Sequence, residues 1–211
     1  MRKQMVRVLA TAALLIIGAS AAKANTITVT AGAITNGVFN YIITEDAGGR
    51  ISDSGLVPNV ATTPFLSAGT LYDDYFTIYD FVGFTGAHTE PAGWTFISQL
   101  VGPTDSNLLA TDSPTIANLT WYWTGATLVG PMTIPGFSAT STFTGINALG
   151  GQWTSEDTQN GGAEDGTTNA ATGKVATPGT SNVPDAGSTL LLLGVSLLGL
   201  GWQARRRRLQ E

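Results

Sequence analysis

Asn118-Leu119-Thr120-Trp121-Tyr122-Trp123-Thr124 puts Leu119, Trp121 and Trp123 on one side of an extended chain and Thr120, Tyr122 and Thr124 on the other. Successive strand side chains point to opposite faces, so this period of two predicts a half-buried β-strand. The segment 136–144 repeats the pattern, with Phe137, Ala139, Ser141 and Phe143 alternating against Ser138, Thr140, Thr142 and Thr144. Working outward, β-prone runs at 26–31, 37–44, 70–81, 94–100 and 151–154 are separated by Gly, Pro, Asn and Asp. No stretch between residues 25 and 160 shows the 3.6-residue period of an amphipathic helix. Seven or more short strands in this span predict an all-β antiparallel β-sandwich, with jelly-roll or immunoglobulin-like connectivity.

Composition agrees. Charged residues make up 12% of the 211, about half the usual share of roughly 25%, and glycine is abundant at 26. A long-helix or coiled-coil protein is excluded on that ground. The absence of Cys removes disulfides, thiolate metal sites and thiol nucleophiles, and a single His removes any site that needs two imidazoles. Eight of the ten basic residues sit at the two ends. Residues 25–188 keep Arg50 and Lys174 against 14 carboxylates, a net charge of −12. Such a surface repels phosphate backbones, so no nucleic-acid partner is expected.

The ends read as addresses. Arg2, Lys3 and Arg7 precede an apolar run over 8–22, followed by Ala22-Lys23-Ala24, a small-x-small pattern. This predicts a signal peptide over 1–24, cut by signal peptidase after Ala24. At the other end, residues 190–202 are uncharged and apolar. A helix of that length spans only ~20 Å against a ~30 Å hydrocarbon core. Arg205, Arg206, Arg207 and Arg208 follow, and their stems can snorkel to the headgroups while their charge keeps that end cytoplasmic. Both ends therefore predict an exported body, first membrane-anchored and then at the cell surface or outside it.

Before the apolar run stands Val183-Pro184-Asp185-Ala186-Gly187-Ser188-Thr189. Motif, short helix and Arg tail together resemble the PEP-CTERM sorting signal of bacteria that make exopolysaccharide, and most closely its VPDSG-CTERM variant. Val183, Pro184, Asp185 and Gly187 match that variant; Ala186 stands where Ser is usual. The resemblance implies an exosortase partner, a multi-pass membrane enzyme that removes the helix and tail over 190–208 and releases or transfers what lies upstream. Tyr79-Asp80-Phe81, Pro91-Ala92-Gly93-Trp94-Thr95-Phe96 and Asn118-Leu119-Thr120-Trp121 are similar to a recurring middle region of other PEP-CTERM proteins, which implies no activity. The predicted organisation is a body over 25–160, a flexible Gly/Thr-rich tether over 161–182 and a sorting signal over 183–208. Val175 is the one branched aliphatic residue in the Gly/Thr-rich stretch and could instead close a last edge strand.

Candidate chemistry within the body is sparse. A Ser-His-Asp triad would use His88, placed in a loop by its neighbours, and no Gly-x-Ser-x-Gly elbow accompanies it. Glycoside hydrolysis needs two carboxylates about 5–9.5 Å apart, for which Asp73-Asp74, Asp80, Glu156-Asp157 and Glu164-Asp165 are candidates. Members of a doublet on a strand point apart, and the doublets at 156–157 and 164–165 read as solvated loop charges. No catalytic residue is assigned and no enzyme activity is expected. No cofactor is expected; calcium is the plausible ion, near the Asp- and Gly-rich loop 46–53, without an assigned ligand. Among the aromatics, Trp121 and Trp123 belong to the core, and Tyr122, on the other face, is the better exposed candidate for a glycan contact, with Tyr72, Tyr75 and Tyr79 as alternatives. The reading is an exported structural or adhesive protein associated with exopolysaccharide; a carbohydrate-binding module and a secreted hydrolase are the alternatives.

Overall fold

The structure, a computed structural model, describes residues 26–58, 66, 70–105, 107, 108 and 110–179. These form β1 (Thr28–Thr35), β2 (Val38–Glu45), β3 (Gly49–Ile51), β4 (Tyr75–Ile78), β5 (Phe84–Thr89), β6 (Trp94–Gln99), β7 (Asn118–Trp123), β8 (Leu128–Val129), β9 (Met132–Ser141), β10 (Ile146–Gln159) and β11 (Thr168–Pro178). All pairings are antiparallel. One sheet runs β1-β2-β9-β5; the other runs β6-β7-β4-β10-β3-β8, with β11 paired to β10. The predicted all-β antiparallel architecture is therefore present.

The two sheets share one apolar core. Phe39, Tyr41 and Ile43 of β2 and Phe137 and Ala139 of β9 meet Phe76, Ile78, Trp94, Leu119, Trp121 and Trp153 of the larger sheet. Trp121 stacks on Phe76 at 5.1 Å, and Phe137 stands edge-on to Phe76 at 4.9 Å. Such aromatic pairs add to the burial of large apolar area, which is what stabilises a sandwich of this size.

The strand expected to be half-buried is buried on both faces: every residue of β7 is covered. Its second face lies beneath the segments flanking β4 and β6. Thr120 pairs with Thr77 at 2.8 Å, and the Tyr79 hydroxyl donates to the Pro103 carbonyl at 2.6 Å while contacting Thr104 and Thr154. Tyr122 packs there with Leu66 and Tyr75.

Two expected loops are strands. His88 lies in β5, paired with Ala139 of β9, and not in a loop. Its ring stacks on Phe96 at 3.9 Å. The segment expected to be a flexible tether over 161–182 contains β11, which pairs with β10 from Ile146↔Pro178 to Thr158↔Thr168. The body thus extends past 160 to Pro178. The physical reason is that β11 contributes backbone hydrogen bonds and small residues rather than bulk. Val175 and Ala176 are buried, and the Tyr41 hydroxyl donates to the Ala176 carbonyl at 3.1 Å. Gly173 lies against the Trp153 indole, where a Cβ would come within 2.7 Å of the ring.

Candidate functional sites

The cleavage residues Ala22 and Ala24, the motif Val183, Pro184, Asp185, Ala186, Gly187, Ser188 and Thr189, and the tail Arg205–Arg208 lie outside the described residues. Within the body, the alternation of strands decides where each candidate goes.

Tyr122, expected as the exposed glycan contact, is only 8% exposed. Burial, and then the charge of Asp73, raises its hydroxyl pKa above the ordinary tyrosine value. His88 Nδ1 donates to the Gly86 carbonyl at 3.0 Å, and its Nε2 lies 3.6 Å from Glu90. Nothing in these contacts assembles a serine nucleophile beside it. Asp80 receives the Ser113 amide at 3.0 Å. Asp80 also lines an open cleft of about 500 Å³ with Phe143, Asn147, Gln152 and Lys174. Asp165 is the exposed turn residue expected, paired with Arg50 at 2.9 Å.

Four of the candidate acids, Asp73, Asp74, Glu156 and Asp157, are buried instead of solvated. Glu156 and Asp157 lie in β10, where they point to opposite faces as alternation requires, and both are buried. That overturns their reading as loop charges. Asp73 caps the segment before it: Ser54 N, Leu56 N and the Ser54 hydroxyl all donate to its Oδ1 at 2.9–3.2 Å. Asp74 accepts from Ser52 N at 2.6 Å and from the Thr158 hydroxyl at 3.1 Å. Burial nonetheless pushes Asp74 up to about 8, against those two bonds and with help from the charges of Glu156 and Glu45. Burial, and then Asp105, pushes Glu156 up to about 8 as well.

Glu45 ends β2 and its carboxyl lies beside that of Asp157, within hydrogen-bonding reach when one of them holds a proton. Both residues are 0% exposed. None of their four carboxyl oxygens receives a protein hydrogen bond of good geometry. Burial raises both pKa values, opposed at Glu45 by its bond to Asp157 and reinforced at Asp157 by the Glu45 charge. The loop 46–53, the stretch considered for calcium, runs into β3, and Asp53 receives the Gly55 amide at 2.7 Å. Among the described residues, no three His, Cys, Asp or Glu side chains converge as a metal-ligating set.

Sequence reasoning missed Glu45, although the signal was there. Phe39, Tyr41 and Ile43 alternate inward, and two residues further the same parity falls on Glu45. Trp153, Ser155 and Asp157 share a parity in β10 in the same way.

Comparison with protein families matches residues 182–208 to the VPDSG-CTERM motif. The match agrees with the resemblance carried by Val183, Pro184, Asp185 and Gly187, and it marks a PEP-CTERM-like sorting region of the kind processed by an exosortase. No curated protein matches the chain, and no solved structure does.

Proposed function

We propose that this chain is an exported, non-enzymatic surface or matrix protein, trimmed at its C-terminus by an exosortase, whose β-sandwich acts as a structural or adhesive part of an exopolysaccharide-bearing envelope. The observation that carries the reading is the VPDSG-CTERM match at 182–208, directly downstream of a folded body. Signal peptidase removes residues 1–24 during export. The apolar run 190–202 halts in the membrane and Arg205–Arg208 hold its far end on the cytoplasmic side. Pro184 lacks an amide hydrogen and biases the preceding residue toward extended backbone, a form a processing enzyme can bind.

The end of β11 adds a geometric condition. Four residues separate Pro178 from Val183, and a fully extended chain advances at most about 3.6 Å per residue. The enzyme therefore meets its motif within roughly 18 Å of the folded body, not at the end of a long tether. The body's net charge of −12 over 25–188 keeps it soluble once released and directs it away from other polyanions.

Mass spectrometry of the protein recovered from an exosortase-bearing host tests the proposal. The expected product begins near Asn25 and lacks Arg205–Arg208. In a strain without the exosortase, the tail remains and the protein stays in the membrane fraction. An intact tail in the exosortase-bearing host overturns the proposal.

A further inference from the structure

Glu45 and Asp157 come from different sheets and meet inside the sandwich. Backbone comes close to them at two glycines. A Cβ on Gly49 would fall 1.7 Å from Glu45 Oε1 and 2.6 Å from Asp157 Oδ2. One on Gly130 would fall 2.0 Å from the Asp46 carbonyl oxygen and 3.1 Å from Glu45 Cγ. The two glycines leave room at this point for the two carboxyls and one backbone carbonyl.

The surroundings supply no positive charge. From β4 the neighbouring group is Asp74, and from the turn after β2 it is Asp46. Arg50 of β3 turns outward to Asp165. β9 places Met132 opposite Glu45, and β11 places Asn169 opposite Asp157. Four fully buried carboxyl oxygens without a donor are costly, because an ion out of water costs several kcal/mol unless a counter-charge or hydrogen bonds replace its hydration. A shared proton satisfies two of the four oxygens. A divalent cation can satisfy all of them.

We propose that Glu45 and Asp157 form a divalent-cation site that takes calcium and ties the two sheets together at this end of the sandwich. The donor set is all oxygen, with no imidazole or thiolate, which selects a hard cation over zinc or copper. Two carboxylates are a small ligand set for calcium, so backbone and water complete it; the Asp46 carbonyl, which faces Gly130 beside the Glu45 side chain, is the backbone oxygen at hand. Binding displaces the proton the pair holds without a cation, so affinity rises with pH. The low side-chain charge count suits the 10⁻⁴–10⁻³ M affinities of extracellular calcium modules, where the exported body would work.

The experiment is a calcium titration of the full chain in detergent at pH 8, by calorimetry in two buffers of different ionisation enthalpy and by thermal unfolding, with magnesium as the control ion. One calcium per chain is expected, with proton release, and a Tm higher by about 5–10 °C at 100 times Kd. Glu45→Gln and Asp157→Asn are each expected to remove the heat and the Tm shift. Neither heat nor a Tm change up to about 10 mM calcium, ten times the weakest of those affinities, overturns the proposal and leaves a proton-sharing pair. Calcium binding that persists in both variants also overturns it. Should the variants fail to fold, an anomalous-scattering map of wild-type crystals soaked with a lanthanide gives the second reading. A peak between Glu45 and Asp157 supports the site; a peak elsewhere, or none, overturns it.

Discussion

Trp121 and Tyr122 are neighbours on β7 that face opposite ways, and each is buried by a different layer. Trp121 lies in the main core among Tyr41, Phe76, Phe96 and Phe137. Tyr122 packs beneath the outer segments with Leu66 and Tyr75, with Tyr72 and Ile97 at its margin. The difference between an exposed ring and a covered one is measurable. Tyr122→Ala at an exposed position would change stability by no more than about 0.5 kcal/mol. As a buried position it should lose about 3 kcal/mol, read as a lower denaturant midpoint at an unchanged m-value. The pattern of β7 made its inward face legible, because Leu119, Trp121 and Trp123 alternate with Thr120 and Tyr122, which carry hydroxyls. Its second face was not legible: what covers Tyr122 arrives from residues distant in sequence, and alternation says nothing about a second layer. Glu45 and Asp157 were legible in parity but hidden by chemistry, since charge argues for a loop and only the strand's continuation argues for the interior.

At the scale of the element, β11 shows where composition misleads. A segment of Thr, Asn, Ala and Gly with one Val buries little apolar area, the usual mark of a tether. It folds because β10 is long enough to template it, with ten registered pairs, and because small side chains let the Trp153 indole lie across Gly173. The apolar burial is supplied by the partner strand. Seven strands, β1, β2, β4, β6, β7, β9 and β10, fall on the runs read from alternation and turn residues, with boundaries moved by several positions. β3 and β8 were not legible, being only three and two residues long and defined by their pairing. Deleting 168–178 while leaving the sorting motif in place separates the two views of β11. Removal of a tether would leave Tm unchanged. Removal of the strand exposes Trp153 and the whole outer edge of β10, so we expect loss of the cooperative transition and recovery in the insoluble fraction.

For the whole molecule, the distribution of acids sets how stability responds to pH. Ordinary solvated carboxylates would leave the body indifferent between pH 5 and pH 9. Here Asp74 and Glu156 are held up to about 8, and Glu45 and Asp157 are also raised, all by burial first. In the unfolded chain the same groups titrate near 4. Between the two values the folded state binds more protons than the unfolded state, so stability falls as pH rises. The contribution is complete below about pH 4 and is lost by the time pH passes about 8, at about 1.4 kcal/mol per pH unit for each fully shifted group. With chelator present, Tm should therefore drop steadily from pH 5 to pH 9. Glu156→Gln isolates one group: Glu156 sits on the face of β10 away from Asp157, with one unpartnered oxygen, and an amide of the same shape cannot ionise. The variant should show a shallower fall, by about one proton between pH 5 and pH 8, and a higher Tm than wild type at pH 9. A Tm–pH curve for Glu156→Gln that superimposes on wild type would show that Glu156 is ionised in the folded body after all.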